Sequence, residues 1–233
     1  MSELPLQTTP TYELKLPSTG ATVKYRPFIV KEEKVLLMAS QEGDERHTLE
    51  AIRQIIDACT FKKLNVPKLA TADVEYLFIA LRNKSLGEGL DIQATCGACG
   101  AKNIVQCNLD DVKVERKKDM SNIITLGDNL KVSMRYPTLE MSYDLSDDDL
   151  NKTIELIAKC TEFVEYNGKL IECDTLPIAE TIQFVEHLTQ GQLKELNSYF
   201  ESIPKTVFRD EFVCTKCAEK NTITIEGISN FFA

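Results

Sequence analysis

Two cysteine pairs share one spacing, Cys96-Gly-Ala-Cys99 and Cys214-Thr-Lys-Cys217. A Cys-x-x-Cys turn lets two sulfurs bind one ion while nearby backbone amides hydrogen-bond to them and offset their charge. Two such turns complete the four-thiolate tetrahedral shell favoured by structural zinc. Cys96, Cys99, Cys214 and Cys217 are therefore the candidate ligands of a single structural zinc ion, with iron as the other metal such a donor set accepts. The bland readings are reduced surface cysteines left from a lost site, or two separate redox pairs of the thioredoxin kind. The redox reading is disfavoured because neither motif opens a strong helix whose N-terminus would lower a thiol pKa. Cys59 and Cys160 fall on apolar helical faces, where cysteine behaves as a small hydrophobe. Cys107 and Cys173 sit in expected strands, outside any ligand spacing.

Little else in the chain resembles catalytic machinery. Histidine is the usual general base, and there are two, His47 at a helix start and His187 within an amphipathic helix. No serine or cysteine stands in a nucleophile motif, and no glycine-rich loop offers a phosphate cradle. Residues 136–166 hold eight Asp or Glu against two Lys. Asp144, Asp147, Asp148 and Asp149 nevertheless lack the alternating ligands and central glycine of a calcium loop, so a helix-capping cluster on a solvated face is the better account. The expectation is a protein that is not an enzyme.

Composition narrows the partners. The 233 residues carry a net charge of −9, the opposite of what a nonspecific grip on phosphate backbones needs. A zinc-ribbon module binding nucleic acid is the alternative function. Around the cysteine turns, however, Lys102, Lys216 and Lys220 face Asp91, Asp110, Asp111, Asp210, Glu211 and Glu219, which leaves no basic patch. The longest apolar runs, such as Tyr76 to Leu81, are too short to span a bilayer. The N-terminus has neither the basic nor the apolar segment of a signal peptide, so intracellular synthesis and reduced thiols are expected. Protein partners are favoured over nucleic acid or membrane.

The cysteine turns need elements to hold them. Tyr12, Leu14 and Leu16 alternate with polar residues, as do Val23 and Tyr25 beyond a Pro-Ser-Thr-Gly turn at 17–20, which predicts a hairpin. Helices are expected from near Lys31, over 47–59 with Leu49, Ile52, Ile55, Ile56 and Cys59 on one face, and over 72–84. Strands at 90–95 and 103–110 flank the first cysteine pair, and the charged run Lys113 to Asp119 reads as a solvated connector. The second half repeats the order. A hairpin spans 123–126 and 130–135, and a helix capped by Ser146, with Asp147 to Asp149 complementing its dipole, buries Leu150, Ile154, Ile157 and Ala158. A tight Asn167-Gly168 turn, helices over 178–189 and 192–202, and strands at 207–213 and 221–225 around the second pair complete it.

Ile-Ile-Asp-Ala-Cys59-Thr60 answers Leu-Ile-Ala-Lys-Cys160-Thr161, and Cys99-Gly-Ala-Lys102-Asn103 answers Cys217-Ala-Glu-Lys220-Asn221. These matches imply a diverged internal duplication. The expected fold class is α+β: two similar halves of hairpin plus helices, each ending in a strand-Cys-x-x-Cys-strand zinc knuckle, joined at a shared four-cysteine site. The halves would be residues 1–112 and 123–233 with a charged connector at 113–122, or one intertwined domain. On this reading the ion clamps the halves together.

The stretch from Pro10 to Gly20 (PTYELKLPSTG), Val23 to Lys34 (VKYRPFIVKEEK) and Val74 to Arg82 (VEYLFIALR), with the following Cys-x-x-Cys, resembles the baseplate hub protein family of T4-like bacteriophages. The likeness covers at least residues 10–110 and continues through Tyr136-Pro137. It implies a structural or assembly role in the central hub of a contractile-tail baseplate, with other hub or tail proteins as partners. The setting it implies is the host cytoplasm during assembly, and the virion tail baseplate. The family offers no catalytic motif to carry over, which leaves the cysteine quartet as the one site.

Overall fold

Alternation of apolar and polar residues organises the first strands of the chain. In the computed structural model, which describes residues 8–42, 45–116, 121–142 and 149–226, β1 (Tyr12–Lys15) pairs antiparallel with β2 (Thr22–Tyr25), Tyr12 opposite Tyr25 and Leu14 opposite Val23. Gly20, at φ 71°, turns the chain between them, because a left-handed backbone costs glycine nothing. The hairpin turn is anchored to a helix start: the Ser18 amide donates to the Asp73 carboxylate at 2.8 Å, and the Ser18 hydroxyl donates to the same group. Asp73 is 1% exposed, so these bonds are what make its burial tolerable.

Three helices follow: α1 (Val30–Glu42), α2 (Glu45–Cys59) and α3 (Thr71–Leu86). The 3.6-residue spacing of Ile52, Ile55, Ile56 and Cys59 puts all four on the buried side of α2. In α3, Val74, Leu77, Phe78 and Leu81 are buried; each such side chain contributes about 1.5–3 kcal/mol when fully removed from water. Then come β3 (Gly89–Thr95), β4 (Lys102–Asn108) and β5 (Lys113–Glu115). β3 and β4 form a seven-pair antiparallel ladder from Gly89 opposite Asn108 to Thr95 opposite Lys102.

The next segment builds a four-stranded antiparallel sheet in the order β6 (Ile123–Thr125), β7 (Leu130–Met134), β8 (Thr161–Tyr166), β9 (Lys169–Glu172). Between β7 and β8 run α4 (Leu139–Ser142) and α5 (Asp149–Cys160); after β9 come α6 (Ile178–Glu186) and α7 (Gln190–Ser202). Asn167 and Gly168, at φ 52° and 77°, make the expected two-residue turn. The Thr189 hydroxyl and the Gln192 side chain cap α7 reciprocally, which starts a new helix at Gln190 and ends α6 before His187. Val132, Met134, Ile157, Cys160, Leu196 and Tyr199 form the core under this sheet.

The chain ends its described course with β10 (Lys205–Val213) and β11 (Lys220–Glu226), again a seven-pair ladder, from Val207 opposite Glu226 to Val213 opposite Lys220. β10 also pairs with β5, Lys205 opposite Glu115. Leu90, Cys107, Leu109, Phe208 and Ile225 pack with Ile79 of α3 beneath the two long hairpins.

The chain is thus a mixed α+β protein in two units. Unit 1 comprises Met1–Val66, Ala72–Glu115 and Lys205–Ala233; unit 2 comprises Pro67–Thr71 and Arg116–Pro204. The units do not follow the sequential halves: the last hairpin of the second half belongs to unit 1, and Pro67–Thr71 of the first half belongs to unit 2. Four expectations are corrected. Lys113–Glu115 is a strand rather than connector, since β10 supplies its backbone partners. Leu150 is 62% exposed because it lies at the start of α5, where the buried stripe has not begun. Cys173 lies in a 3-10 turn (Cys173–Thr175), not a strand, and the second strand around the first cysteine pair stops at Asn108, where the Asn108 side chain accepts from the Asp110 amide to start another such turn. The Ser146 cap and most of the acidic cluster at 144–149 lie outside the described residues.

Candidate metal centre

Each cysteine pair sits at the tip of a long ladder, where the strands hold two turns in matching conformation. At the β3–β4 tip the Cys96 amide donates to the Ala101 carbonyl at 2.9 Å and the Gly100 amide to the Cys96 carbonyl at 3.0 Å. At the β10–β11 tip the Cys214 amide donates to Glu219 at 2.8 Å and the Ala218 amide to Cys214 at 2.9 Å. Both turns close through a left-handed residue one position beyond the second cysteine, Gly100 at φ 69° and Ala218 at φ 59°. Neither pair opens a helix.

The two tips meet. The Sγ atoms of Cys96, Cys99, Cys214 and Cys217 all lie within 4.8 Å of one another. Cys96 Sγ is 3.7 Å from Cys217 Sγ, and Cys99 Sγ is 3.7 Å from Cys214 Sγ. A tetrahedron with zinc–sulfur bonds of about 2.3 Å has edges of about 3.8 Å, so these separations fit one ion held by four sulfurs. Four sulfurs would fill the shell of a tetrahedral ion. The first cysteine of each pair is buried and the second exposed, so the ion would sit at the surface end of the hairpins.

The electrostatics of the four thiols follow from this packing. Backbone amides of Cys217 and Lys216 pull the Cys214 thiol down to about 6. Cys96 is lowered in the same way, chiefly by the Cys99 amide and then by Ala98 and the Asn221 side chain. Cys217 goes the other way, to about 12: the Glu219 amide lowers it, but the hydrogen bond with Cys99, then desolvation, then those with Cys214 and Cys96 together outweigh that. A divalent ion held here would bind all four as thiolates and release their protons.

Two further residues brace the site, and neither is a ligand type. Asn103, in β4, accepts the Thr215 amide (2.9 Å) and hydroxyl (3.0 Å) and donates to Cys214 Sγ at 3.7 Å. Asn221, in β11, accepts the Gly97 amide (2.9 Å) and donates to Cys96 Sγ at 3.5 Å. Their signal in the sequence is the repeated Lys-Asn after each pair, which marks similarity of the halves but not a task.

Among the described residues, the four cysteines are the one group of His, Cys, Asp or Glu close enough to hold a metal ion. Cys59, Cys107 and Cys160 are buried, and burial pushes them up to about 12, 11 and 12. His187 follows the last residue of α6, exposed, its Nδ1 2.7 Å from the Gln183 carbonyl; His47 lies near the start of α2. Among the described residues, no helix is long and apolar enough to cross a membrane.

No curated protein and no solved structure matches the chain. The model of the family described as T4 bacteriophage base plate protein matches residues 9–233, nearly the whole length, and takes in both hairpins and all four cysteines. The chain belongs to the T4 bacteriophage base plate protein family.

Proposed function

We propose that this protein is a structural or assembly component of the baseplate hub of a T4-like phage tail, acting through contacts with other hub or tail proteins and braced by one structural zinc ion on Cys96, Cys99, Cys214 and Cys217. The family match over residues 9–233 carries the baseplate role. The sulfur geometry supports the ion, and a closed shell of four thiolates serves architecture, with no open position for catalysis. The protein works in the host cytoplasm during assembly and in the virion baseplate. Affinity capture of the tagged chain from infected cells, read by mass spectrometry together with the zinc content of the purified protein, tests both parts. Recovery of baseplate proteins and about one zinc per chain is expected. Complete baseplates formed without the gene would overturn the hub role, and metal-free protein from zinc-supplied cells would overturn the site.

We also infer that residues 1–112 and 123–233 are duplicates. Support comes from matched bonds within each unit. After β2 the Arg26 amide donates to the Cys59 carbonyl at 3.0 Å, and after β7 the Arg135 amide donates to the Cys160 carbonyl at 2.8 Å. The next residue in each case returns a hydroxyl bond to its own helix, Thr60 to Ile56 at 2.7 Å and Thr161 to Ile157 at 2.9 Å. The amide bond from the arginine after each hairpin is the stronger support, since a threonine hydroxyl often bonds the carbonyl four residues back.

A further inference from the structure

We propose that Asn103 and Asn221 are reciprocal positioning residues that fix one cysteine turn against the other and tune the sulfurs. This rests on the zinc reading above. Each amide spans from its own hairpin to the opposite turn and makes the same three kinds of bond. The oxygen accepts the amide of the residue after the opposite first cysteine, Thr215 for Asn103 and Gly97 for Asn221. The nitrogen donates to that cysteine's sulfur, Cys214 or Cys96, and also to a carbonyl of its own hairpin, Ala101 at 3.0 Å or Glu219 at 2.9 Å.

Only a primary amide of this length can perform both tasks. Aspartate would keep the acceptor but turn a second carboxylate oxygen toward a thiolate. Glutamine would carry its amide one carbon too far, and serine would not reach. A four-thiolate zinc centre carries a net charge of −2, and N–H···S bonds disperse it. Because the partners lie 112 and 124 positions apart in sequence, the bonds do more than shape a local turn: they set the register of one hairpin on the other, so that the four sulfurs reach tetrahedral separation together. Asn103 is the stronger bracket, being 4% exposed and holding the Thr215 hydroxyl as well.

The test uses the full-length zinc protein and its Asn103→Ala, Asn103→Asp and Asn221→Ala variants. Zinc affinity is measured by competition with a chromophoric chelator, release by stopped flow, and the sulfur environment by cobalt(II) substitution. Loss of an outer partner of a metal ligand weakens binding about 10–100-fold, so each alanine variant should bind zinc that much less tightly and release it faster. Asn103→Asp should do no better than alanine despite keeping its acceptor. The sulfur-to-cobalt charge-transfer band should move to lower energy as the N–H···S bonds are lost, a change that a merely structural residue would not cause. Wild-type affinity, release and spectrum in all three variants would overturn the proposal and leave the zinc site standing. Wild-type protein that takes up neither zinc nor cobalt would overturn the zinc reading and this proposal with it.

Discussion

Removing the ion by a strong chelator under reducing conditions should loosen unit 1 at the hairpin tips and leave unit 2 as it was. All four sulfurs belong to unit 1. Without the ion, the two tips keep the Asn103 and Asn221 brackets, the three-pair contact of β5 with β10, and the small core around Phe208. An ion at a thousandfold excess over its dissociation constant stabilises the form that binds it by about 4 kcal/mol. If most of this acts locally, opening of the tips becomes roughly 10²–10³ times more frequent, since each 1.4 kcal/mol is tenfold. Hydrogen exchange by mass spectrometry reads this at the turn amides of Cys96, Gly100, Cys214 and Ala218. The Arg135 amide, bonded to Cys160 in unit 2, serves as the internal control and should change less than about twofold. Equal acceleration at Arg135, or none at the turns, would refute the reasoning.

Other consequences can be measured separately. Gly100 and Ala218 hold equivalent left-handed positions, so Ala218→Gly should stabilise the zinc-loaded protein by about 0.5–1 kcal/mol and Gly100→Ala should destabilise it by a similar amount, read by chemical denaturation. Ile157→Ala, in the core of unit 2, should cost about 2–5 kcal/mol in that unit, with zinc stoichiometry unchanged. The buried thiols of Cys59, Cys107 and Cys160 stay protonated in the fold to about 12, 11 and 12, whereas unfolded cysteines ionise near pH 8.5. Unfolding therefore releases protons above that pH, and the stability these raised values give is complete below pH 8.5 and is lost as pH rises toward 12. Denaturation curves at pH 8, 9.5 and 10.5 should show the decline, and at pH 8 these three cysteines should resist alkylation while folded.

Much of the site could be read from the chain because its chemistry is local: a cysteine pair announces itself by type and spacing whatever surrounds it. Helices α2 and α5 were visible through their apolar periodicity, and the β8–β9 turn through Asn167-Gly168. What escaped depends on distant partners. Lys113-Val-Glu115 is two charges around one valine, and becomes a strand through pairing with residues 205–207. Asn103 and Asn221 are polar residues of ordinary type whose task appears only when the opposite turn arrives. Leu150 satisfies the helical period but is exposed at the start of α5, and His187 falls outside α6 because the cap at Thr189 starts the next helix.

The pairing of β5 with β10 has a consequence for how the protein is made. A ribosome delivers β3 and β4 early, yet Arg116–Pro204 must be synthesised before β10 can join β5. At about 5–20 residues per second this takes roughly 5 to 20 seconds. Until then the β3–β4 hairpin lacks Phe208 and Ile225, its core partners from β10 and β11, and presents Cys96 and Cys99 alone. A metal ion held by all four sulfurs would thus have to wait for Cys214 and Cys217, and a nascent chain that stalls before Cys214 can present no more than half of the cage.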